Sequence, residues 1–355
     1  YSEISTYGKL VKNIGSELSF YSGAKYNLPL NSGSASLLLG LKSVGIIRDD
    51  IVITQSFTFG ATVHAIINSQ ASPWLFDIDK ETLSIDTIKL QKVLEKKTFF
   101  KNGYTFLKKN KKRVYAICPV TSFGVIPNLI KIKKIAHKYN LKIVIDGACA
   151  FGNKHNKEDL IKFADVVVYS FNGNKNFTSG GGGALSTNDK KIYDKAKVLS
   201  DNGKSKGTYI YSLAGHNYKM TNLHAAILKG QLSRYSKIRK KIFFNHLLYK
   251  KKIKNINFEF FTDQKSSNNI LWLNFVLCNS NLISKKLIKY LRSKDINTNY
   301  FWTPMHLQPF KRDFIIENMD FTNYFFKKVV LIPSSSFLKK KELNKVIKLL
   351  NQFNK

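Results

Sequence analysis

The chain has 355 residues, of which 43% are hydrophobic and 13% aromatic, enough for one large core and a smaller appendage. Lys and Arg total 58 against 23 Asp and Glu, a formal net charge of +35, and no run of 18 apolar residues offers a helix able to span a bilayer. The basic residues are mostly Lys and are scattered, with dense runs only at 108–113 and 237–241, so they read as solvated loops and helix faces and not as a nucleic-acid groove.

Residues 35–44 have helical apolar spacing and stop at Gly45; 51–54 form a short apolar strand and 61–68 a second helix. Strand patterns follow at 74–76 and, more clearly, at 114–119, then an amphipathic helix at 129–139. Between them, 96–112 is expected to be the least structured stretch, a basic insertion. Residues 142–146 and 165–171 are strands with almost no polar alternation. Continuous apolar strands separated by helices predict an α/β fold with a mostly parallel sheet covered on both faces. Further on, 222–249 reads as one long helix or two, 272–277 as a strand, 283–292 as a helix, 329–332 as a strand and 341–353 as a closing helix. The expected division is a large domain over 1–245 and a small C-terminal α+β domain over 246–355.

Four segments fall where strand ends meet helix starts, which is where open parallel sheets bind ligands. Asn31-Ser-Gly-Ser-Ala-Ser36 stands directly before a helix; its small residues, Ser34 and Ala35 among them, either cap that helix or offer amides to an anion. Phe59, just past the strand at 51–54, is either core or a face for a flat ring. Asp146 closes an apolar strand and is followed by Gly-Ala-Cys149; it is either a helix cap or a carboxylate that needs a cation. Ser170 ends a strand, Lys175 lies five residues beyond it, and a glycine run 180–183 follows. A lysine there can form a Schiff base if its surroundings allow, although a surface lysine is common in so basic a chain. The joint order carries more than any member: an anion cradle, an aromatic, Asp146, then Lys175, 29 residues later (175 − 146). A Walker-type phosphate loop and a GxGxxG fingerprint are both missing at strand-to-helix junctions. The three cysteines, Cys118, Cys149 and Cys278, are scattered, and residues 1–7 show no basic start before an apolar stretch; both features point to the cytoplasm.

The stretches Ser56-Phe-Thr-Phe-Gly-Ala-Thr62, Phe76-Asp-Ile-Asp79 with Leu83-Ser-Ile-Asp86, Ser170-Phe-Asn-Gly-Asn-Lys175, Gly215-His-Asn-Tyr-Lys-Met-Thr-Asn222 and Phe301-Trp-Thr-Pro-Met-His-Leu-Gln-Pro-Phe310 together resemble the DegT/DnrJ/EryC1/StrS family of sugar aminotransferases. The resemblance runs over about residues 25–350 and implies the aspartate-aminotransferase fold with pyridoxal 5'-phosphate as cofactor. It implies that Lys175 is the Schiff-base lysine and Asp146 the partner of the pyridinium nitrogen. Phe59 would stack on the ring, and Ser34, Ala35 and Ser170 would bind the phosphate. Asn217 would reach the phosphate of a neighbouring subunit in a homodimer with shared active sites. His306 would lie near the sugar nucleotide, as would Lys219 if it keeps a substrate contact.

Three positions depart from the family pattern. Cys149 stands where Gln or His usually contacts the ring hydroxyl, Gly181 where Glu is frequent, and Lys219 where Arg is common. Family members that dehydrate sugars carry His at the position of Lys175, so the resemblance implies transamination. The segments around Lys175 and His306 are similar to those of enzymes aminating C4 of nucleotide-linked 4-keto-6-deoxy sugars, often UDP-linked N-acetylhexosamines. The insertion at 96–112 resembles one in the legionaminic-acid branch. The expected reaction takes its amino group from L-glutamate. The rivals are a pyridoxal enzyme of the same fold acting on a non-nucleotide substrate, and a non-catalytic nucleic-acid-binding protein suggested by the charge.

Overall fold

The computed structural model describes residues 4–205, 209–262, 268–310 and 314–354. Its strands are β1 (Tyr26–Leu30), β2 (Ile51–Gln55), β3 (Ser72–Phe76), β4 (Thr98–Lys101), β5 (Tyr104–Leu107), β6 (Arg113–Cys118), β7 (Lys142–Asp146), β8 (Lys154–His155), β9 (Glu158–Asp159), β10 (Val166–Ser170), β11 (Gly183–Thr187), β12 (Phe258–Phe260), β13 (Asn274–Cys278), β14 (Ile315–Ile316) and β15 (Val329–Ile332). Its helices are α1 (Lys9–Ser22), α2 (Gly33–Ser43), α3 (Gly60–Asn68), α4 (Thr87–Lys97), α5 (Leu129–Lys138), α6 (Lys190–Ser200), α7 (Asn222–Leu232), α8 (Tyr235–Lys252), α9 (Asn281–Arg292), α10 (Asp320–Phe326) and α11 (Lys340–Gln352).

The main sheet runs β1-β11-β10-β7-β6-β2-β3-β14, with β4 and β5 attached beside β6. From β10 to β14 the pairs along this path are parallel, while β1, β11 and the β4–β5 hairpin join antiparallel. Alternate residues of one strand enter different cores. Ile143 and Ile145 pack with α1, α4, α5 and α7, whereas Val144 packs with α2, α3 and α6. Burial of both faces is why these strands show no polar alternation in the sequence.

The expected least structured stretch, 96–112, is instead a paired hairpin. Thr98–Lys101 and Tyr104–Leu107 are rich in aromatic and β-branched residues, and Asn102-Gly103 turns between them with φ of 49° and 80°. Asn-Gly accepts such a turn at little cost. The charge density of the insertion hid a strong hairpin signal.

The 222–249 stretch is two helices, α7 and α8, parted at Ser233-Arg234. The division at 245/246 falls inside α8. Beyond it, β12, β13 and β15 form an antiparallel sheet over which α9, α11 and the end of α8 close a separate core. The C-terminal part also sends β14 back to pair with β3 at the edge of the main sheet. None of the described helices is long and apolar enough to cross a membrane.

Candidate active site

The parallel strands β2, β7 and β10 deliver their carboxyl ends to one edge of the sheet, and the chemically interesting residues collect there. Asp146 is the last residue of β7 and is buried. Its Oδ2 accepts from the Thr62 hydroxyl at 2.7 Å, and its Oδ1 accepts from the Ala148 amide at 3.1 Å. Thr62 lies in the first turns of α3, where its hydroxyl also meets that of Thr58 at 2.8 Å. Burial holds the Asp146 carboxyl above the usual carboxylate range, against the pull of Thr62, the Ala148 amide and the Lys175 charge. Among the described residues no cation pairs with it directly, so the arrangement offers a desolvated carboxylate to a cationic partner.

Lys175 follows β10 on a turn in which its amide donates to the Asn172 carbonyl at 3.0 Å. Its Nζ lies 3.3 Å from Cys149 Sγ and 3.6 Å from the ring centre of Trp272. The thiol of Cys149 is pushed up by burial, an effect that the nearby Lys175 charge opposes, and it stands as a neutral neighbour of the amine. A small cleft joins Ala148, Cys149, Ser170, Lys175, Asn176 and Trp272. A larger surface groove lined by Lys131, Lys134, Lys154 and Arg239 contains neither Asp146 nor Lys175, so chemistry and not volume marks the site.

Ser32 caps α2, its hydroxyl accepting from the Ala35 amide at 3.1 Å, so the cap reading of the 31–36 segment holds. The cap leaves the anion reading open. The first turn, with exposed Ser34, directs amides and the positive end of the helix dipole outward. Ser170 sits against that turn: a Cβ on Gly33 would stand 2.8 Å from Ser170 Cβ, a separation only glycine permits. Phe59 is 59% exposed, so it is not core; its ring centre lies 6.1 Å from that of Trp302. An exposed aromatic face, an anion cradle, a buried carboxylate and an amine at one edge can together hold a flat, phosphate-bearing cation and act on its substituents.

The remaining expected residues have partners of their own. His306 is buried, with Nδ1 2.6 Å from Ser56 Oγ and Nε2 3.2 Å from Asn323 Oδ1, so it ties the loop before Phe59 to α10. Lys219 pairs with Asp201 at 2.8 Å and lies over the Tyr7 ring at 3.9 Å. Asn217 is exposed, and its carbonyl accepts from the Asn31 side chain at 3.3 Å. Gly181 stands beside the His224 ring, 3.5 Å from a built Cβ to Nε2. Sequence reasoning missed Thr62 and Trp272. Thr62 carries no chemical signal of its own in the sequence. Trp272 is 97 residues from Lys175 (272 − 175), and nothing local signals the contact. The strand expected over 272–277 begins instead at Asn274, and the backbone at Trp272 bends before it.

The family model of the DegT/DnrJ/EryC1/StrS aminotransferases matches residues 2–351. The chain is 27% identical over 309 residues to GDP-perosamine synthase of Vibrio cholerae, covering 86% of this chain and 80% of that protein. It is 26% identical over 306 residues to dTDP-4-amino-4,6-dideoxy-D-glucose transaminase of Shigella dysenteriae, covering 85% and 78%. Among solved structures, a DegT DnrJ EryC1 StrS aminotransferase from Brucella abortus superposes with a TM-score of 0.88 at 21% identity, covering 98% of this chain and 90% of that one.

Proposed function

The chain belongs to the DegT/DnrJ/EryC1/StrS aminotransferase family and is a pyridoxal-phosphate-dependent aminotransferase; from that premise we propose that it transfers the amino group of L-glutamate to C4 of a nucleotide-linked 4-keto-6-deoxy sugar. The observation that carries the reading is the meeting of Asp146, Thr62, Cys149 and Lys175 at the strand ends beside the start of α2. The names of two relatives, a GDP-perosamine synthase and a dTDP-4-amino-4,6-dideoxy-D-glucose transaminase, support a nucleotide-linked amino sugar as product. A net charge of +35 suits a substrate that carries two phosphates.

The residues present fit the cofactor. A buried carboxylate whose acidity is already lowered by desolvation gains from a ring-nitrogen cation, so Asp146 would hold that end. The first turn of α2 and Ser170 would hold the phosphate, and the exposed face of Phe59 would cover the ring. When bound, pyridoxal 5'-phosphate supplies a carbonyl that carries the amino group and an electron sink for the adjacent carbon.

The protein's own work is to position and to move protons. Thr62 and the Ala148 amide fix the rotamer of Asp146, so its charge faces one direction throughout the cycle. Lys175 Nζ takes the proton from the amino-bearing carbon of glutamate and returns one to C4 of the sugar. The balanced reaction converts glutamate and the keto sugar into 2-oxoglutarate and the amino sugar. His306 acts from a buried position by holding the Ser56 loop, while Lys219, paired with Asp201, and the exposed Asn217 lie at the surface.

The working unit is a homodimer in which Asn217 completes the neighbour's phosphate site. The exposed apolar residues Tyr209, Ile210, Tyr211 and Leu213, 84%, 68%, 60% and 42% accessible, stand close before Asn217 in the chain and support a covered surface there. The soluble substrates and the scattered cysteines support work in the cytoplasm. The test is a panel of GDP-, dTDP- and UDP-linked 4-keto-6-deoxy sugars incubated with 15N-glutamate and read by mass. One of them gaining a labelled amino group is the expected result. Amino transfer only to small keto acids, with every nucleotide sugar inert, would overturn the reading.

A further inference from the structure

Resting on the assignment of Lys175 above, we infer that Trp272 is a positioning residue that holds the Lys175 amine at the mouth of the cleft. The Nζ atom lies 3.6 Å from the ring centre of Trp272, well within the range of a cation–π contact. Cys149 Sγ stands 3.3 Å from the same atom, so the amine touches both an indole face and a thiol. Lysine has four rotatable side-chain bonds and about 2 kcal/mol of rotamer entropy. Without such contacts the amine would sample many positions, and only a few would reach a reacting carbon.

Trp272 is itself fixed by two hydrogen bonds. Its Nε1–H donates to the Asn174 carbonyl at 2.7 Å, tying it to the residue just before Lys175. Its backbone amide donates to the Phe123 carbonyl at 2.6 Å. Phe123 is buried yet holds a φ of 58°, an uncommon conformation for a bulky residue. The next residue, Gly124, has a φ of 94°, and a Cβ there would stand 2.9 Å from the Ile270 carbonyl oxygen and 3.0 Å from the Trp272 nitrogen. The turn at 122–124 is thus shaped to receive the 270–272 segment against it. Trp272 therefore couples three separate parts of the chain, the turn after β6, the lysine loop after β10 and the approach to β13, at one amine.

The test compares full-length wild type with Trp272→Phe, which keeps an aromatic face but loses the N–H, and Trp272→Leu, which loses both. Apoprotein is mixed with pyridoxal 5'-phosphate, and growth of the visible band is followed with time; kcat and KM for glutamate are then measured, alongside melting curves. Trp272→Phe is expected to stay near wild type, while Trp272→Leu slows both band growth and kcat about tenfold with KM unchanged, the size of one cation–π contact. A Leu variant as fast as wild type, or a Phe variant as slow as Leu, would overturn the proposal. A second reading needs no cofactor and no stable Leu variant: Lys175→Met should change tryptophan emission in the wild-type background and not in Trp272→Phe. No change in either background would also overturn it. Attachment of the cofactor to a different lysine would sink the Lys175 assignment instead, and the emission experiment would still report the contact.

Discussion

Asp146 carries an energetic conflict that should be measurable. Its carboxyl is buried, and burial raises it above its ordinary range, so its charge costs the apoprotein stability at neutral pH. For an acid raised in the folded state, the protonated form favours folding; that contribution is present at low pH and is lost as pH rises through the folded value. Apo Asp146→Asn should therefore melt above apo wild type at pH 7, by about 1–3 °C if the cost is about 1–2 kcal/mol. The gap should close as pH falls through the raised carboxyl value, while the variant's cofactor affinity drops at all pH values. Equal melting temperatures across that range would contradict the account of a desolvated charge.

Asp146 and Lys175 were legible in the sequence because each follows a strand pattern with small residues behind it, and because both match one family's spacing. Thr62 and Trp272 were not, since their roles come from contacts 84 and 97 residues away in the chain, counted to Asp146 and Lys175 (146 − 62, 272 − 175). The departure at Cys149 reads differently in three dimensions: the thiol that removes one expected polar contact is a neighbour of the Lys175 amine.

Among the elements, the β4–β5 hairpin shows how composition can mask a turn. Five Lys or Arg at 108–113 and the lysines before it point to a solvated loop, yet Asn102-Gly103 and the aromatic pair Phe99 and Phe106, ring centres 5.6 Å apart, make a strand pair. Nothing lies within 4 Å of a Cβ built on Gly103, so any cost of substitution is purely conformational. Gly103→Ala should lose about 1 kcal/mol of stability, read by denaturant melts, with kcat unchanged. A loss of activity at constant stability would show that the hairpin serves the site directly.

A second clasp joins distant elements. Burial pushes the Asp77 carboxyl up, but hydrogen bonds from Lys89, the Thr322 hydroxyl and the Phe321 and Thr322 amides outweigh it and hold the group below its usual range. These bonds fasten the start of α10 to the end of β3. Since the acid is lowered in the fold, its contribution exists above the unfolded carboxylate range and is lost as pH falls through the lowered value. Asp77→Ala should cost about 2 kcal/mol or more at pH 7, because it strands several buried donors. The same variant compared at pH 3 should show a smaller difference. The parallel strands were predictable from their unbroken apolar runs. The two-residue strand β14 was not, because Ile315-Ile316 carries no pattern and forms only against the edge of β3.

At the scale of the whole molecule, the charge of +35 did not dictate the function. It is spread over the surface as lysines, several paired with the few acids, as in Lys142–Asp165 and Lys154–Asp159. Such exposed pairs add little stability, about 0–1 kcal/mol each; under the proposed function, the excess positive charge acts as a long-range field for an anionic substrate. Raising salt from low to high should therefore raise KM for the nucleotide sugar more than it lowers kcat. Subunit sharing has its own test: mixing the inactive Lys175→Ala and Asn217→Ala proteins should recover turnover if a site draws on both protomers. No recovery after subunit exchange would confine each site to one chain.

The decisive point is which amine holds the cofactor, in a chain where 58 residues are Lys or Arg. The most direct measurement is to load the protein with pyridoxal 5'-phosphate, reduce it with borohydride, digest it and sequence the labelled peptide by mass spectrometry. The label is predicted on Lys175 alone, with the visible band and glutamate turnover both absent from Lys175→Ala. A label fixed to any other lysine, or a Lys175→Ala protein that still turns over glutamate, would contradict it.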